Sequence, residues 1–176
     1  MQSSLSYVHS GREIFENRSP FDILKIRSGV IIDAGGAAGE VTKKMLQISP
    51  NSSAYVFEPF PGNFPFLDGN LGKDSRVTIV KKALGAQLGR QRFIVAGTVK
   101  GHEKGWESMV GYSSGGRLAE ISSSSDKDSY IEVDVVRLDD MVNDLPVFMK
   151  VDVQGGELNL LKGASSLLQM GLPYIY

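Results

Sequence analysis

A chain of 176 residues, 41% of them hydrophobic, is long enough for one domain with a three-layer core. Its 19 Lys and Arg nearly balance 20 Asp and Glu, so the formal charge of −1 gives no basic field that would hold a nucleic acid. Cysteine is absent, which excludes a disulfide framework and a thiolate metal site, and no metal site is predicted. The sequence shows no leader peptide and no membrane span, so we expect a soluble, cytoplasmic protein without a membrane partner.

Short apolar runs alternate with helical patterns along the chain, which predicts an α/β fold with a mostly parallel sheet flanked by helices. Residues 1–27 are expected to form a helical or irregular segment interrupted at Pro20. The domain proper is expected over residues 28–176. Its predicted parallel strands are Val30–Asp33, Ala54–Glu58, Val77–Lys81 and Phe148–Val153, and a helix is predicted over Glu157–Met170, before a last apolar piece at Tyr174–Tyr176.

Two further runs, Arg92–Ala96 and Tyr130–Arg137, alternate well enough to form a β-pair beside the parallel strands. The insertion between them, residues 97–129, is rich in Gly and Ser. It is either a surface loop or a substrate-side lid, because a lone Trp in a polar loop suits ligand capture. Under the second interpretation Trp106 and Ser108 are candidate substrate contacts.

The first strand ends in an acid and leads into a glycine-rich turn. Asp33 is followed by Gly35, Gly36, Ala37 and Gly39, small residues that let the backbone close around a ligand at the start of a helix. A carboxylate at this point suits a cationic or hydroxyl-bearing ligand and repels a pyrophosphate, which favours S-adenosylmethionine. The glycines also miss the G-x-G-x-x-G spacing of dinucleotide sites. A turn that binds no ligand is the alternative.

A second acid, Glu58, ends the second strand, and Pro59 stops the strand there. A carboxylate in this place can hold a ribose diol through charge-assisted hydrogen bonds. By itself Glu58 could equally be a solvated charge. Together with the first turn it indicates a nucleoside cofactor.

Five motifs occur in the order seen in FkbM-type methyltransferases, which this chain resembles from about Ser28 to Tyr176. The resemblance implies a Rossmann-like class I enzyme that uses S-adenosylmethionine, mostly to methylate hydroxyl oxygens of small molecules and sugars. The motifs are Val30–Gly39, Phe57-Glu58-Pro59 with Asn63-Phe64, Lys82–Gly85, Arg137–Asp140, and Lys150–Glu157 with Leu161–Ala164.

The resemblance also implies roles for single residues. Asp33 would lie near the amino-acid end of the cofactor, Glu58 would hold the ribose, and Ala83 and Leu84 would border the adenine. Asp152 would face the methyl group. It is the first candidate for the base that accepts the substrate proton, ahead of Glu157, Glu107 and His102.

The chain departs from the family pattern in three places. Gly36-Ala37 replaces an Ala-Asn pair, and Gln154 replaces a glutamate. After Tyr176 no sequence is left for the antiparallel pair that usually completes such a sheet, so we expect a truncated domain or an open edge covered by a homodimer partner. An inactive cofactor-binding module of the same fold is therefore the main alternative, and a nicotinamide-dependent enzyme is the lesser one.

Overall fold

The computed structural model describes residues 19–95, 116–119 and 130–176. Within these ranges none of the helices is long and apolar enough to cross a membrane. The helices are α1 (Glu40–Ile48), α2 (Phe64–Leu71), α3 (Glu157–Lys162) and α4 (Ser165–Met170). The strands are β1 (Val30–Ala34), β2 (Ser53–Phe57), β3 (Val77–Val80), β4 (Ala83–Leu84), β5 (Gly89–Ile94), β6 (Arg117–Leu118), β7 (Tyr130–Val136), β8 (Phe148–Val151) and β9 (Tyr174–Ile175).

Sheet A, in the order β3-β2-β1-β8-β9, is parallel throughout, and its central strand β1 is buried on both faces. Neighbouring side chains of a strand point to opposite faces, so β1 contributes residues to two hydrophobic cores, one on each face of the sheet. Ile31 packs with Met45 of α1 on one face. Ile32 packs with Leu160 of α3 on the other. The predicted three-layer arrangement of helix, parallel sheet and helix is confirmed.

The chain leaves β1 towards β2 and β3 on one side, while β8 lies on the other side of β1. In an open parallel sheet this reversal of direction separates the loops that follow the two neighbouring strands and opens a crevice at their carboxyl ends. The segments after β1, β2 and β8 therefore meet at one edge of sheet A. These segments contain most of the candidate site residues.

The predicted helix Glu157–Met170 is wrong as a single element, because it breaks at Gly163 into α3 and α4. Gly163 lies so close to the chain that a Cβ atom there would be 2.0 Å from the Gly85 carbonyl oxygen. Asp139 then stabilises the start of α4 by accepting hydrogen bonds of 3.0 Å from the amides of Ser166 and Leu167. Burial works against the charge of Asp139, but these bonds hold its pKa below the usual range.

The added β-pair is confirmed with different bounds, because β5 begins at Gly89 and pairs antiparallel with β7. It belongs to sheet B, in the order β4-β7-β5-β6, which also contains Ala83–Leu84 as a short strand parallel to β7. A 3-10 helix begins at Pro20 (Pro20–Lys25), where the fixed φ of proline suits the first turn, and the rest of the predicted N-terminal segment, before residue 19, lies outside the described residues. At the other end, β9 is the edge strand of sheet A, and a dimer through this edge stays a prediction.

Candidate cofactor cleft

A cleft opens at the carboxyl ends of β1, β2 and β8, where the topology brings the predicted motifs together. It encloses about 950 Å³ of empty space, including solvent at its mouth. Sheet B closes one side through Phe93 of β5 and Leu118 of β6, which are antiparallel partners. The lining residues are Ala34, Gly35, Gly36, Ala37, Ala38, Glu40, Val41, Phe57, Glu58, Pro59, Lys82, Ala83, Leu84, Phe93, Gly116, Leu118, Lys150, Asp152, Val153, Gln154 and Gly156.

The glycine-rich turn is held tightly against both neighbouring strands. The amides of Gly35 and Gly36 donate to the Phe57 carbonyl at the end of β2, at 2.9 and 3.0 Å. Gly35 has a φ of +83°, and a Cβ atom on it would lie 2.1 Å from the Asp152 carbonyl oxygen. Only glycine fits both this conformation and this close approach. Gly39, also at positive φ, starts α1 and lies outside the cleft lining.

Ala37 adopts a left-handed conformation, with a φ of +47°, that is uncommon for a residue with a side chain. Its amide donates a hydrogen bond of 2.8 Å to Glu58 Oε2. The carboxylate thereby fixes the middle of the turn from the neighbouring strand. This contact explains why the turn has one defined shape despite its small residues.

Glu58 lines the cleft although it is only 4% exposed. Its second oxygen, Oε1, accepts a hydrogen bond of 2.8 Å from the Phe60 amide, so both oxygens are bound by the backbone. Burial raises the pKa of Glu58 above its usual value of 4.5, and the hydrogen bonds from Phe60, Ala37 and Asn63 reduce that increase. Three of the four acceptor positions of the carboxylate are thus used, and one is left for a ligand hydroxyl.

Asp33 lies beneath the cleft and does not line it, which corrects the expectation that it borders the amino-acid end of the cofactor. Its side chain is 0% exposed, because β1 is the central strand and carries Asp33 into the layer under α1. Thr42 of α1 donates a hydrogen bond of 2.6 Å to Asp33 Oδ2. Asp33 therefore supports the turn from below.

Lys150 on β8 is the site residue that the sequence analysis missed. Its side chain is 10% exposed, and its Nζ atom lies 3.1 Å from Asp33 Oδ1. This contact is an ion pair without good hydrogen-bond alignment, since Oδ1 accepts no hydrogen bond among the described residues. Nζ instead donates a hydrogen bond of 2.7 Å to the Gly35 carbonyl. A lysine between apolar residues, Met149 and Val151, in the predicted strand was the available signal.

Asp152 lines the cleft just beyond the end of β8, with 55% of its side chain exposed. Gln154, at a φ of +54°, donates a hydrogen bond of 2.8 Å to Asp152 Oδ1. Glu157 does not line the cleft. The hydrogen bond that it accepts from the Gly155 amide, 3.0 Å long, holds its pKa below the usual value. Of the two carboxylates, Asp152 is the one placed to meet a ligand.

The remaining predicted site residues divide between the cleft and the undescribed part of the chain. Pro59, Ala83 and Leu84 line the cleft on the side of β2 and sheet B. The predicted substrate contacts Trp106 and Ser108, and the alternative bases His102 and Glu107, lie outside the described residues. Residues 19–95, 116–119 and 130–176 contain no cluster of side chains that could hold a metal ion.

Acidic groups outnumber basic groups in the cleft. The lining includes the carboxylates of Glu40, Glu58 and Asp152 against the ammonium groups of Lys82 and Lys150, and Asp33 lies below. Such a wall favours a cationic ligand over a polyanion. Among the described residues, the lining therefore has one more carboxylate than ammonium group.

The family model for the methyltransferase FkbM domain matches residues 33–175, and the chain belongs to this family. The chain is also similar to "Methyltransferase 1" of Beauveria bassiana (strain ARSEF 2860), with 25% identity over 171 residues, 90% of this chain and 67% of that protein. The chain thus spans about two thirds of this relative's length.

Two solved structures are similar in fold. Methyltransferase FkbM from Methylobacillus flagellatus KT matches with a TM-score of 0.54 and 21% identity, over 83% of this chain and 31% of that one. Precorrin-6y C5,15-methyltransferase from Geobacter metallireducens GS-15 matches with a TM-score of 0.44 and 16% identity, over 84% and 52%. The first match supports the Rossmann-like methyltransferase fold.

Proposed function

We propose that this protein is an S-adenosylmethionine-dependent methyltransferase that methylates a hydroxyl oxygen of a small molecule or a sugar. The observation that carries the proposal is the cleft itself, where a glycine-rich turn and the buried Glu58 lie side by side at the carboxyl ends of parallel strands. Membership of the FkbM methyltransferase family gives the reaction class. The excess of carboxylates suits a sulfonium donor.

The order of the strands gives the donor a direction in the cleft. Ala83 and Leu84 follow β3, Glu58 follows β2, the Gly35 turn follows β1 and Asp152 follows β8, so they lie in this sequence along the edge of sheet A. Ala83 and Leu84 would hold the adenine and Glu58 the ribose, which would leave the end of β8 for the methionine end. Asp152 would then lie on the side of the acceptor.

The protein's part in the reaction is mainly to align the reactants and to keep water out. When bound, S-adenosylmethionine supplies a methyl group on a sulfonium that is already a good leaving group. Glu58 holds the ribose diol, and the turn fixes the donor against β1. Asp152 accepts the proton of the attacking hydroxyl, because it is the exposed carboxylate at the end of β8.

A nicotinamide dinucleotide fits this cleft less well. Its pyrophosphate would face Glu58 and Asp152, and the carboxylate of Glu58 already accepts the Ala37 amide of the turn. In dinucleotide sites the backbone amides of such a turn bind the phosphates. The carboxylate is therefore in the place that a phosphate would need.

Isothermal titration with S-adenosylhomocysteine, with NAD as the negative control, tests the proposal. We expect binding of the first ligand and none of the second. Glu58→Ala should weaken the binding about tenfold or more, because each charge-assisted hydrogen bond contributes roughly 1.5–3 kcal/mol. Binding of NAD with no response to S-adenosylhomocysteine would refute the assignment.

A further inference from the structure

We infer that Lys150 is a positioning residue for the amino-acid end of the methyl donor: it holds the Gly35 carbonyl and the carboxylate of Asp152 in one arrangement. This inference rests on the proposed function. Lys150 lies at the junction of β1 and β8, whereas Glu58 acts from β2. According to this inference, the Lys150 side chain sets the shape of the half of the cleft that would hold the methionine end.

The contacts of the Lys150 ammonium group join three parts of the site. Nζ donates to the Gly35 carbonyl at 2.7 Å, pairs with Asp33 Oδ1 at 3.1 Å and lies 3.8 Å from Asp152 Oδ2. The ammonium group therefore makes one hydrogen bond, to Gly35, and two ion-pair contacts, to Asp33 and Asp152. The longest of the contacts is the one that faces the cleft.

Burying the charged side chain of Lys150 costs free energy, so its presence in β8 needs an explanation. Its neighbours on β8, Phe148 and Met149, are 0% and 1% exposed, so β8 lies in a part of the sheet where apolar residues are the usual choice. A buried ion pair is often no more stable than well-packed apolar residues of similar volume. The stability of the fold alone therefore gives little reason for Lys150 and Asp33 at this junction.

The backbone shows why the Gly35 carbonyl needs a fixed partner. Gly35 is pressed against Asp152, whose amide donates a hydrogen bond of 3.0 Å to the Ala34 carbonyl. The turn and the end of β8 thus form one wall of the cleft. Rotation of the peptide that joins Gly35 to Gly36 would reshape this wall on the side of β8, and it would also break the hydrogen bond from the Gly36 amide to the Phe57 carbonyl.

The test compares two ligands on the unaltered protein and four variants, one of them a control. S-adenosylhomocysteine carries the amino-acid end, and 5′-methylthioadenosine lacks it. Titrations are made on the unaltered protein, on Lys150→Met, and on Asp33→Asn with and without Lys150→Met. Lys150→Met alone can be unstable because it leaves the Asp33 carboxylate without its counter-ion. On the Asp33→Asn background that carboxylate is absent, so the effect of removing Lys150 on binding can still be compared. Lys81→Met, whose ammonium group lies outside the cleft lining, is the matched control.

On the Asp33→Asn background, removal of Lys150 should weaken binding of S-adenosylhomocysteine about tenfold and change binding of 5′-methylthioadenosine less than about threefold. Lys81→Met should change neither. Equal losses for both ligands would show that Lys150 only stabilises the fold, and unchanged binding of both would also overturn the inference. If the unaltered protein bound neither ligand, the proposed function would fail together with it.

Discussion

The two strand ends that flank the glycine-rich turn fix it by different means. On the β2 side, Glu58 is held by the amides of Ala37 and Phe60, so a buried negative charge rests on backbone dipoles. On the β8 side, the ammonium group of Lys150 lies against the carboxylate of Asp33 and the Gly35 carbonyl. One side is fixed by hydrogen bonds to a carboxylate, and the other by a buried ion pair.

The difference shows how a short turn can be stiff on both sides and still leave room for a ligand. Two backbone amides and the Asn63 side chain donate to Glu58 from within the loops, which leaves one acceptor position of the carboxylate for a ligand. The ion pair of Lys150 and Asp33 neutralises charge beneath the cleft. Asp152 keeps 55% of its side chain exposed, so it can still contact a ligand in the cleft.

The largest expected effect comes from the ion pair. Lys150→Met leaves Asp33 buried without its counter-ion, so the free energy of unfolding should fall by about 3–5 kcal/mol. Adding Asp33→Asn should recover at least about half of that loss, since the unpaired charge is then gone. Urea unfolding of the two single variants and the double variant measures both values. A double variant as unstable as Lys150→Met would show that packing, rather than charge, dominates on the β8 side.

The smaller expected effect concerns pH on the β2 side. Because burial raises the pKa of Glu58, the folded state holds its proton to higher pH than the unfolded state does. The contribution of Glu58 to stability is thus greatest in acid and decreases as the pH rises from about 4.5 through the folded value. Subtracting the stability of Glu58→Gln from that of the unaltered protein at each pH isolates this contribution. A difference that stays constant, or that increases with pH, would mean that the backbone hydrogen bonds outweigh burial.

The parallel sheet could be predicted from the sequence because the signal for each strand is local and recurs along the chain. Each strand of sheet A except the short β9 was predicted within three residues at either end, since a buried parallel strand is a continuous apolar run bounded by turn residues. The break between α3 and α4 was missed for the opposite reason. It depends on a carbonyl at Gly85 and a carboxylate at Asp139, both far away along the chain.

The same distinction applies to the site. Gly35 and Glu58 could be predicted, because each follows a strand in a recognisable motif. Asp33 follows the same rule in the sequence and yet lies below the cleft, because only the pleat of β1 decides which layer its side chain enters. Lys150 was passed over because its partners are brought to it by the pairing of β1 with β8, more than a hundred residues apart.

The crystal structure of the protein with S-adenosylhomocysteine tests the central claim most directly, namely that the donor lies along the edge of sheet A from sheet B towards β8. The account predicts ribose hydroxyls at about 3 Å from Glu58. It also predicts the adenine beside Ala83 and Leu84, and the methionine end between Gly35 and Asp152. A donor bound in the reverse direction, with its adenine at the end of β8, or a donor bound outside this cleft, would contradict it.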